Sequence, residues 1–193
     1  MVLKTREKLI EVARQLFAHK GVANTTMNDI AEASDKGRRT IYTYFKNKKE
    51  IYNAVIETES DTIVNSLRQI AADTAATPDD CLRRFLTKRL EHGRTIGSAY
   101  SSLIAWLKFD LRRMQRIHRL VAEKEDTLLR DILRRGVDDG TFDPRAAALF
   151  ADSARLCLGG LDLSSIDAPD TADSHHAHAA FVDFVVAGIV KKC

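Results

Sequence analysis

The sequence predicts an all-α protein, and three observations lead to this prediction. Only three of its 193 residues are proline and nine are glycine, and strand-like alternation does not stand out between turn signals. Every long segment instead repeats its apolar residues at the helical period. Hydrophobic residues make up 45% of the chain and charged residues 30%, as in ordinary globular proteins. We therefore expect about nine helices, arranged in one or two small domains.

The first third of the chain predicts three short helical elements and one long helix. The first helix covers about residues 4 to 20 and ends at Gly21, a residue common after helix ends. Thr25 or Thr26 caps a short second helix, and a third follows at about residues 38 to 44. Asn47 with Glu50 three residues later forms a capping-box signature, which starts a fourth helix reaching about residue 72.

Prolines and glycines divide the remainder into further helices. Thr77 and Pro78 start one that ends near residue 94, and Gly97 marks a bend before an apolar segment at residues 100 to 109. A helix over about residues 112 to 135 is ended by Gly136 and Gly140. Another begins at Pro144, a polar loop covers residues 164 to 170, and the last helix spans about residues 171 to 192.

The stretch KGRRTIYTYFKNKKE, at residues 36 to 50, concentrates positive charge. It carries six basic residues, three aromatic ones and a single acid at its end. Residues 1 to 50 contain 11 Lys and Arg against 6 Asp and Glu, a net charge of +5, whereas the rest of the chain has a net charge of −2. A solvated basic face is the plain interpretation. A surface that meets a polyanion such as nucleic acid explains the asymmetry more directly.

Two short helices joined by a brief turn and preceded by a supporting helix predict a helix-turn-helix unit. Its second helix enters the major groove with its N-terminal residues at the base edges, and arginine is the commonest specific reader of guanine. Ile41 and Phe45 supply the inward face of this helix. The predicted DNA contacts are Thr26, Lys36, Gly37, Arg38, Arg39, Thr40, Tyr42, Thr43, Tyr44, Lys46 and Lys48.

The run TTMNDIAEASDKGRRTIYTYFKNKKEIYNAVI resembles the signature of the TetR family of bacterial one-component transcriptional regulators. One departure is the turn before the third helix, where many relatives have Gly-Val-Ser and this chain has Asp35, Lys36 and Gly37. The resemblance implies an N-terminal three-helix helix-turn-helix DNA-binding domain at residues 1–50. A long fourth helix would join it to a helical ligand-binding and dimerisation domain at residues 51–193.

The last helix is apolar on nearly all sides, which indicates burial on more than one side. Its own core covers one side, and a second subunit or more of the same core covers the other. The resemblance implies a four-helix homodimer interface built from the last two helices of each chain. The predicted interface residues are Leu156, Gly159, Gly160, Phe181, Val182, Val185, Val186 and Ile189.

The resemblance also implies a pocket for a small-molecule effector between the DNA-binding unit and the dimer helices. An aromatic stripe at helical spacing is also typical of plain core, so both interpretations stay open. We expect a partly apolar ligand, since like charges do not cluster in this segment. The candidate lining residues are Phe85, His92, Tyr100, Leu103, Trp106, Leu107, Phe109 and Met114.

These features predict a sequence-specific DNA-binding protein, and the resemblance implies a transcriptional regulator, most often a repressor released from a palindromic operator by its effector. One alternative is the same fold controlled by a protein partner or by thiol oxidation. Another is a helical metal-binding protein or enzyme that uses His175, His176 and His178. The sequence shows neither a nucleophile–base–orienter order nor a glycine-rich phosphate loop, so we expect a non-enzyme without cofactor or metal.

The expected location is cytoplasmic, without a membrane partner. Charges interrupt the apolar pattern of the N-terminus, and apolar runs do not approach the roughly 20 residues that cross a bilayer. The three cysteines lie far apart, which argues against a disulfide framework.

Overall fold

A computed structural model of the protein describes residues 2–101, 111–167 and 172–191. These residues form eight helices and no named strand, which confirms the all-α prediction. The apolar segment at residues 100 to 109 falls mostly outside the described residues. The helices are α1 (Val2–Lys20), α2 (Met27–Ala33), α3 (Arg38–Tyr44), α4 (Lys48–Ala71), α5 (Pro78–Ser101), α6 (Leu111–Asp138), α7 (Pro144–Asp167) and α8 (Ala172–Ile189).

Two predicted helix ends were wrong, since α5 continues through Gly97 to Ser101 and α7 continues to Asp167. Helix α6 ends at Asp138, between Gly136 and Gly140, as predicted within a few residues. A glycine inside a helix costs only about 1 kcal/mol relative to alanine. Since that cost is small, surrounding packing decides whether a helix stops at a glycine or at a polar stretch.

The chain divides into two compact units, of which the first contains residues 2–61, 99–101 and 111. Within it α2 contacts both α1 and α3. The rings of Phe17 on α1 and Tyr52 on α4 lie 5.9 Å apart between centroids. Apolar side chains from all four helices and from the α1–α2 turn are buried in this unit, including Leu9, Ala13, Phe17, Val22, Ile30, Ile41, Phe45 and Ile51.

The second unit contains residues 62–98, 112–167 and 172–191. One continuous apolar cluster joins the C-terminal part of α4 to helices α5 to α8. Its fully buried large side chains include Leu67, Leu82, Phe85, Leu86, Leu129, Ile132 and Phe142. This cluster is the hydrophobic core of the second unit.

A close approach closes the turn after α6. Gly140 adopts a φ of 83°, and Phe142 then packs directly on Gly136, where an added Cβ would lie 2.1 Å from Phe142 Cδ2. The same turn pairs with the residues after α8 in an isolated antiparallel bridge between Phe142 and Val190. The Asp143 amide donates to the Ile189 carbonyl at 2.8 Å, and the Lys191 amide to the Thr141 carbonyl at 2.9 Å. The end of α8 is thereby tied to the α6–α7 turn.

Among the described helices, none combines the length and apolar character needed to cross a membrane.

Candidate nucleic-acid interface

The start of α2 is set by a reciprocal capping box. The Thr26 hydroxyl accepts from the Asp29 amide at 3.1 Å, and the Asp29 carboxylate accepts from the Thr26 amide at 2.8 Å. The Thr26 backbone bond, followed by the bond to its side chain, lowers the pKa of Asp29 below the usual range. Thr26 is exposed, but its hydroxyl already serves as the helix cap.

The turn between α2 and α3 uses a strained residue where a glycine would be relaxed. Asp35 has a φ of 55°, in the left-handed region that costs an ordinary residue about 1–2 kcal/mol. Ser34 is buried and its hydroxyl donates to the Ala31 carbonyl at 2.9 Å, while the Lys36 amide donates to the same carbonyl at 2.9 Å. Gly37 then caps α3 without a side-chain bond, as the sequence predicts.

Helix α3 separates a buried face from an exposed one. Ile41 and Phe45 are buried at 0% and 3% exposure. Thr40, Tyr44 and Lys36 are half-buried, and the exposed residues are Gly37, Arg38, Arg39, Tyr42, Thr43 and Lys46. Two guanidinium groups therefore lie at the N-terminal end of a short, otherwise polar and aromatic surface.

The guanidinium of Arg38 is held over an aromatic ring on the same helix. Its Cζ lies 6.0 Å from the centroid of the Tyr42 ring, within the range of a cation–π interaction. The Thr43 hydroxyl donates to the Arg39 carbonyl at 3.1 Å, so it is engaged by its own helix. Among the predicted contact residues on this face, the Arg38 side chain is thus oriented by the Tyr42 ring.

The start of α4 confirms Asn47 as its cap, but Glu50 bonds to the amide before the cap rather than completing the predicted capping box. The Glu50 amide donates to Asn47 Oδ1 at 3.0 Å, and the Lys46 amide donates to Glu50 Oε2 at 2.7 Å. These two amides are satisfied within the chain. Lys46 leaves its side chain exposed beside them.

Lys48 lies in a different environment from Lys46. Its ammonium donates to the carbonyls of Val22, Ala23 and Thr25 at 2.7, 3.1 and 2.7 Å. Burial lowers the pKa of Lys48, and the charge of Asp29 opposes that shift. The predicted phosphate contact of Lys48 stays a prediction, and the structure places its charged end against the α1–α2 turn.

One basic residue near this surface was not singled out from the sequence. Arg6 on α1 is exposed, and its Cζ lies 5.4 Å from the centroid of the Phe45 ring at the end of α3. A cation in the first turns of a helix is too common to indicate such a position. Only the packing of α1 near the end of α3 reveals it.

The predicted pocket residues are only partly described. Phe85 is fully buried in the core of the second unit, and His92 is half-buried on α5. Tyr100 and Met114 lie in α5 and α6, but their side chains fall outside the description. Leu103, Trp106, Leu107 and Phe109 lie outside the described residues altogether.

A different, open depression of about 500 Å³ in the second unit is lined by Ala71, Asp131, Arg134, Arg135, Asp138 and Asp139.

The predicted dimer residues divide into buried and exposed groups. Val182, Val185, Val186 and Ile189 are buried in the chain's own core, and Gly159 and Phe181 are half-buried. Leu156 is 80% exposed on α7, and Gly160 is exposed one helical turn later. Among the described side chains of these helices, Leu149, at 72%, and Phe184, at 78%, are the other large apolar ones that are exposed.

The groups considered for metal or redox chemistry are dispersed. His175 and His176 are exposed and His178 is buried. In the part of the chain that the structure describes, no group of three His, Cys, Asp or Glu residues is placed to hold a metal ion. Cys81 is fully buried, with its thiol 3.5 Å from the Asp73 carbonyl, and Cys157 is half-buried.

Comparison with known proteins finds a family profile that matches within the first unit. Residues 9–55 match the family profile described as bacterial regulatory proteins, tetR family. The chain is 35% identical over 83 residues to the HTH-type transcriptional regulator TtgR of Pseudomonas putida, which is 43% of this chain and 40% of that protein. It is 51% identical over 51 residues to the probable acrEF/envCD operon repressor of Escherichia coli, 26% of this chain and 23% of that one. The chain thus spans well under half the length of these curated relatives.

The likeness of the whole chain is one of fold. A transcriptional regulator from Cytophaga hutchinsonii superposes with a TM-score of 0.81 at 21% identity, over 96% of this chain and 98% of that one. Identity at this level supports the shared helical architecture and carries no information on ligands.

Proposed function

We propose that this chain is a transcriptional regulator of the TetR family, and that it binds a palindromic DNA operator as a homodimer and represses transcription. Members of this family are regulators rather than enzymes. In the proposed division of work, residues 1–50 read the operator, and residues 51–193 dimerise and bind a small, partly apolar effector.

The exposed face of α3 is the observation that carries this proposal. Arg38 and Arg39 lie at the N-terminal end of α3, which is the end that approaches base edges in helix-turn-helix proteins. Ile41 and Phe45 hold the opposite face of α3 in the core. A rotation of the helix that turned the two arginines inward would therefore expose Ile41 and Phe45. The name of the Escherichia coli relative, an operon repressor, supports repression as the direction of control.

Selection from a pool of random duplex DNA at two salt concentrations tests this function. The wild-type protein should enrich a palindrome whose half-sites are about one helical turn apart, roughly 34–36 Å. Arg38→Ala/Arg39→Ala should lose the enrichment and bind the selected site about 10- to 100-fold more weakly, since each bidentate base contact contributes about 1–3 kcal/mol.

Arg68→Ala/Arg134→Ala is the matched control, because it removes two exposed arginines that bond only to neighbours on their own helices. This variant should enrich the same palindrome as the wild type. Salt-sensitive binding without any enriched sequence would contradict sequence reading and leave a general phosphate surface.

The proposed dimer interface uses the exposed apolar side chains of α7 and α8. Leu156, Gly160 and Phe184 are the residues on which a second subunit would pack, while the buried valines of α8 support them from the core. Sedimentation equilibrium should show a dimer for the wild type and a monomer for Leu156→Lys/Phe184→Lys. Leu120→Lys, at a leucine 51% exposed on α6, is the control and should remain dimeric.

The proposed effector acts by population shift. It binds preferentially to a conformation of the protein whose two reading helices no longer match adjacent major grooves, and so releases DNA. The proposed lining residues are those predicted from the sequence around Trp106. Once the operator is known, small molecules that release it should quench or shift the fluorescence of Trp106, the single tryptophan. Release without any change of that fluorescence would count against this location of the pocket.

A further inference from the structure

We propose that Lys48 is a positioning residue for the reading head, which fixes the α1–α2 turn onto the start of α4 and does not bind a DNA phosphate. This inference rests on the proposed DNA-binding function for its effect on affinity. Its structural part can be tested without DNA.

The geometry of the Lys48 ammonium supports this role. An ammonium has three N–H donors, and Lys48 meets three carbonyl oxygens, of Val22, Ala23 and Thr25, at 2.7 to 3.1 Å. These carbonyls lie 23 to 26 residues earlier in the chain. A phosphate could take a hydrogen bond from Lys48 only by replacing one of these acceptors.

The turn that Lys48 contacts is held partly by its own residues, since the Asn24 side-chain amide donates to the Lys20 carbonyl at 3.0 Å. Helix α1 ends at Lys20 and is followed by Gly21, whose φ is 78°; Val22 is then buried while Ala23 and Asn24 are exposed. Thr25 is buried, and its hydroxyl donates back to the Gly21 carbonyl at 2.8 Å. The carbonyls of such a turn need donors from elsewhere. Lys48 supplies them directly before Thr26 begins α2.

This contact matters for the reading helix because α2 is the platform of α3. Both helices have only seven residues, and they are in contact with each other. A shift of the α1–α2 turn would carry the first residue of α2 with it, and α3 would move in consequence. Lys48 therefore acts on DNA through the position of α3.

Lys46 provides the contrast. It lies two residues earlier on the same surface with its side chain exposed, whereas Lys48 is half-buried. Burying a charge is unfavourable unless hydrogen bonds compensate for the lost water, and the three carbonyls provide that compensation. A lysine placed for a phosphate would instead keep its ammonium in solvent, as Lys46 does.

The experiment compares Lys48→Met with Lys46→Met, which remove the same charge. Affinity for the selected operator and for random duplex is measured over a range of salt concentrations, at a temperature where all variants are folded. Lys48→Met should weaken operator binding about tenfold, as the loss of charged hydrogen bonds implies. The dependence of its affinity on salt should be unchanged, and its affinity for random duplex should change little. Lys46→Met should reduce the salt slope by about 0.9 per chain.

Amide hydrogen exchange tests the structural part independently of DNA. Lys48→Met should speed exchange at residues 22 to 30 at least tenfold and leave α1 unchanged, whereas Lys46→Met should match the wild type. If Lys48→Met does not fold, Lys48→Gln replaces it, since an amide keeps donors but loses the charge.

Two results would overturn the inference. One is a salt slope reduced by about 0.9 per chain in Lys48→Met, because this identifies a phosphate contact. The other is wild-type exchange at residues 22 to 30 in the folded variant. If the wild type bound no duplex at all, the proposed function would fail while the exchange result still decided the role of Lys48 in the turn.

Discussion

The two units of this chain hold their helices by different means. In the first unit α2 and α3 have seven residues each, too few to be stable alone, and polar groups define their ends: the Thr26–Asp29 capping box, the Ser34 hydroxyl and the Lys48 ammonium. In the second unit helices of 18 to 28 residues surround one continuous apolar cluster. The first unit should therefore respond to the loss of single polar atoms, and the second to changes in side-chain volume.

The largest effect is expected at the centre of the second unit. Phe85→Ala should lower the free energy of unfolding by about 3–5 kcal/mol, because Phe85 is fully buried and its removal leaves a cavity. Urea denaturation measures the change. Leu120→Ala is the control on an exposed position and should shift stability by no more than about 0.5 kcal/mol. Equal losses of unfolding free energy in the two variants would show that burial of the side chain does not determine the cost of its removal.

A smaller but more specific loss is expected at the α6–α7 turn. Gly136→Ala should cost about 1–3 kcal/mol of unfolding free energy, since the new Cβ would overlap the Phe142 ring. In a Phe142→Ala background the same change should cost almost nothing, because the overlapping atoms are gone. A double-mutant cycle by urea denaturation measures this coupling. The same cost in both backgrounds would point to another cause than the ring.

In the first unit a single hydroxyl should matter. Thr26→Ala removes the acceptor for the Asp29 amide and should cost about 1 kcal/mol in thermal or urea unfolding. Thr26→Ser keeps the acceptor and should lose much less. If Ser and Ala were equally destabilising, the lost methyl group rather than the cap would explain the effect, and the comparison between the units would weaken.

The smallest effect concerns Glu59, also in the first unit. Burial raises the pKa of Glu59, with Arg14 opposing and Glu11 adding to the shift. Because its folded-state pKa lies above the unfolded one, Glu59 lowers the stability of the wild type as the pH rises through that interval. Glu59→Gln should therefore raise Tm at pH 7 to 8 and have less effect at pH 4. Glu7→Gln, at an exposed position, is the control for the removal of one carboxylate charge.

The sequence predicted the starts of helices better than their ends. The starts after Thr26, Gly37 and Asn47 were confirmed, as were those at Pro78 and Pro144, because each depends on chemistry within a few neighbouring residues. The end predicted near Gly97 was wrong, and so was the loop predicted from residue 164, since neither signal outweighs continued helical hydrogen bonding.

The candidate site shows the same limit. The outward face of α3 followed from the spacing of Ile41 and Phe45, and the structure places both in the core. The partners of Lys48 lie more than 20 residues away, so local pattern cannot reveal them. For α8 the sequence was apolar on nearly every side, and it could not indicate that Val182 faces the core while Phe184 faces outward.

The bridge between the α6–α7 turn and the end of α8 has a consequence for synthesis on the ribosome. Until α8 has been synthesised, Phe142 cannot pair with Val190. The core also lacks the side chains that α8 contributes, from Val182 to Ile189. At roughly 5–20 residues per second, the chain from residue 142 to residue 191 takes about 2–10 seconds to translate. Throughout that interval the apolar faces of α5, α6 and the growing α7 lack their final cover. Nascent chains of this protein are therefore expected to depend on chaperones at this stage, long after α1 to α3 have left the ribosome.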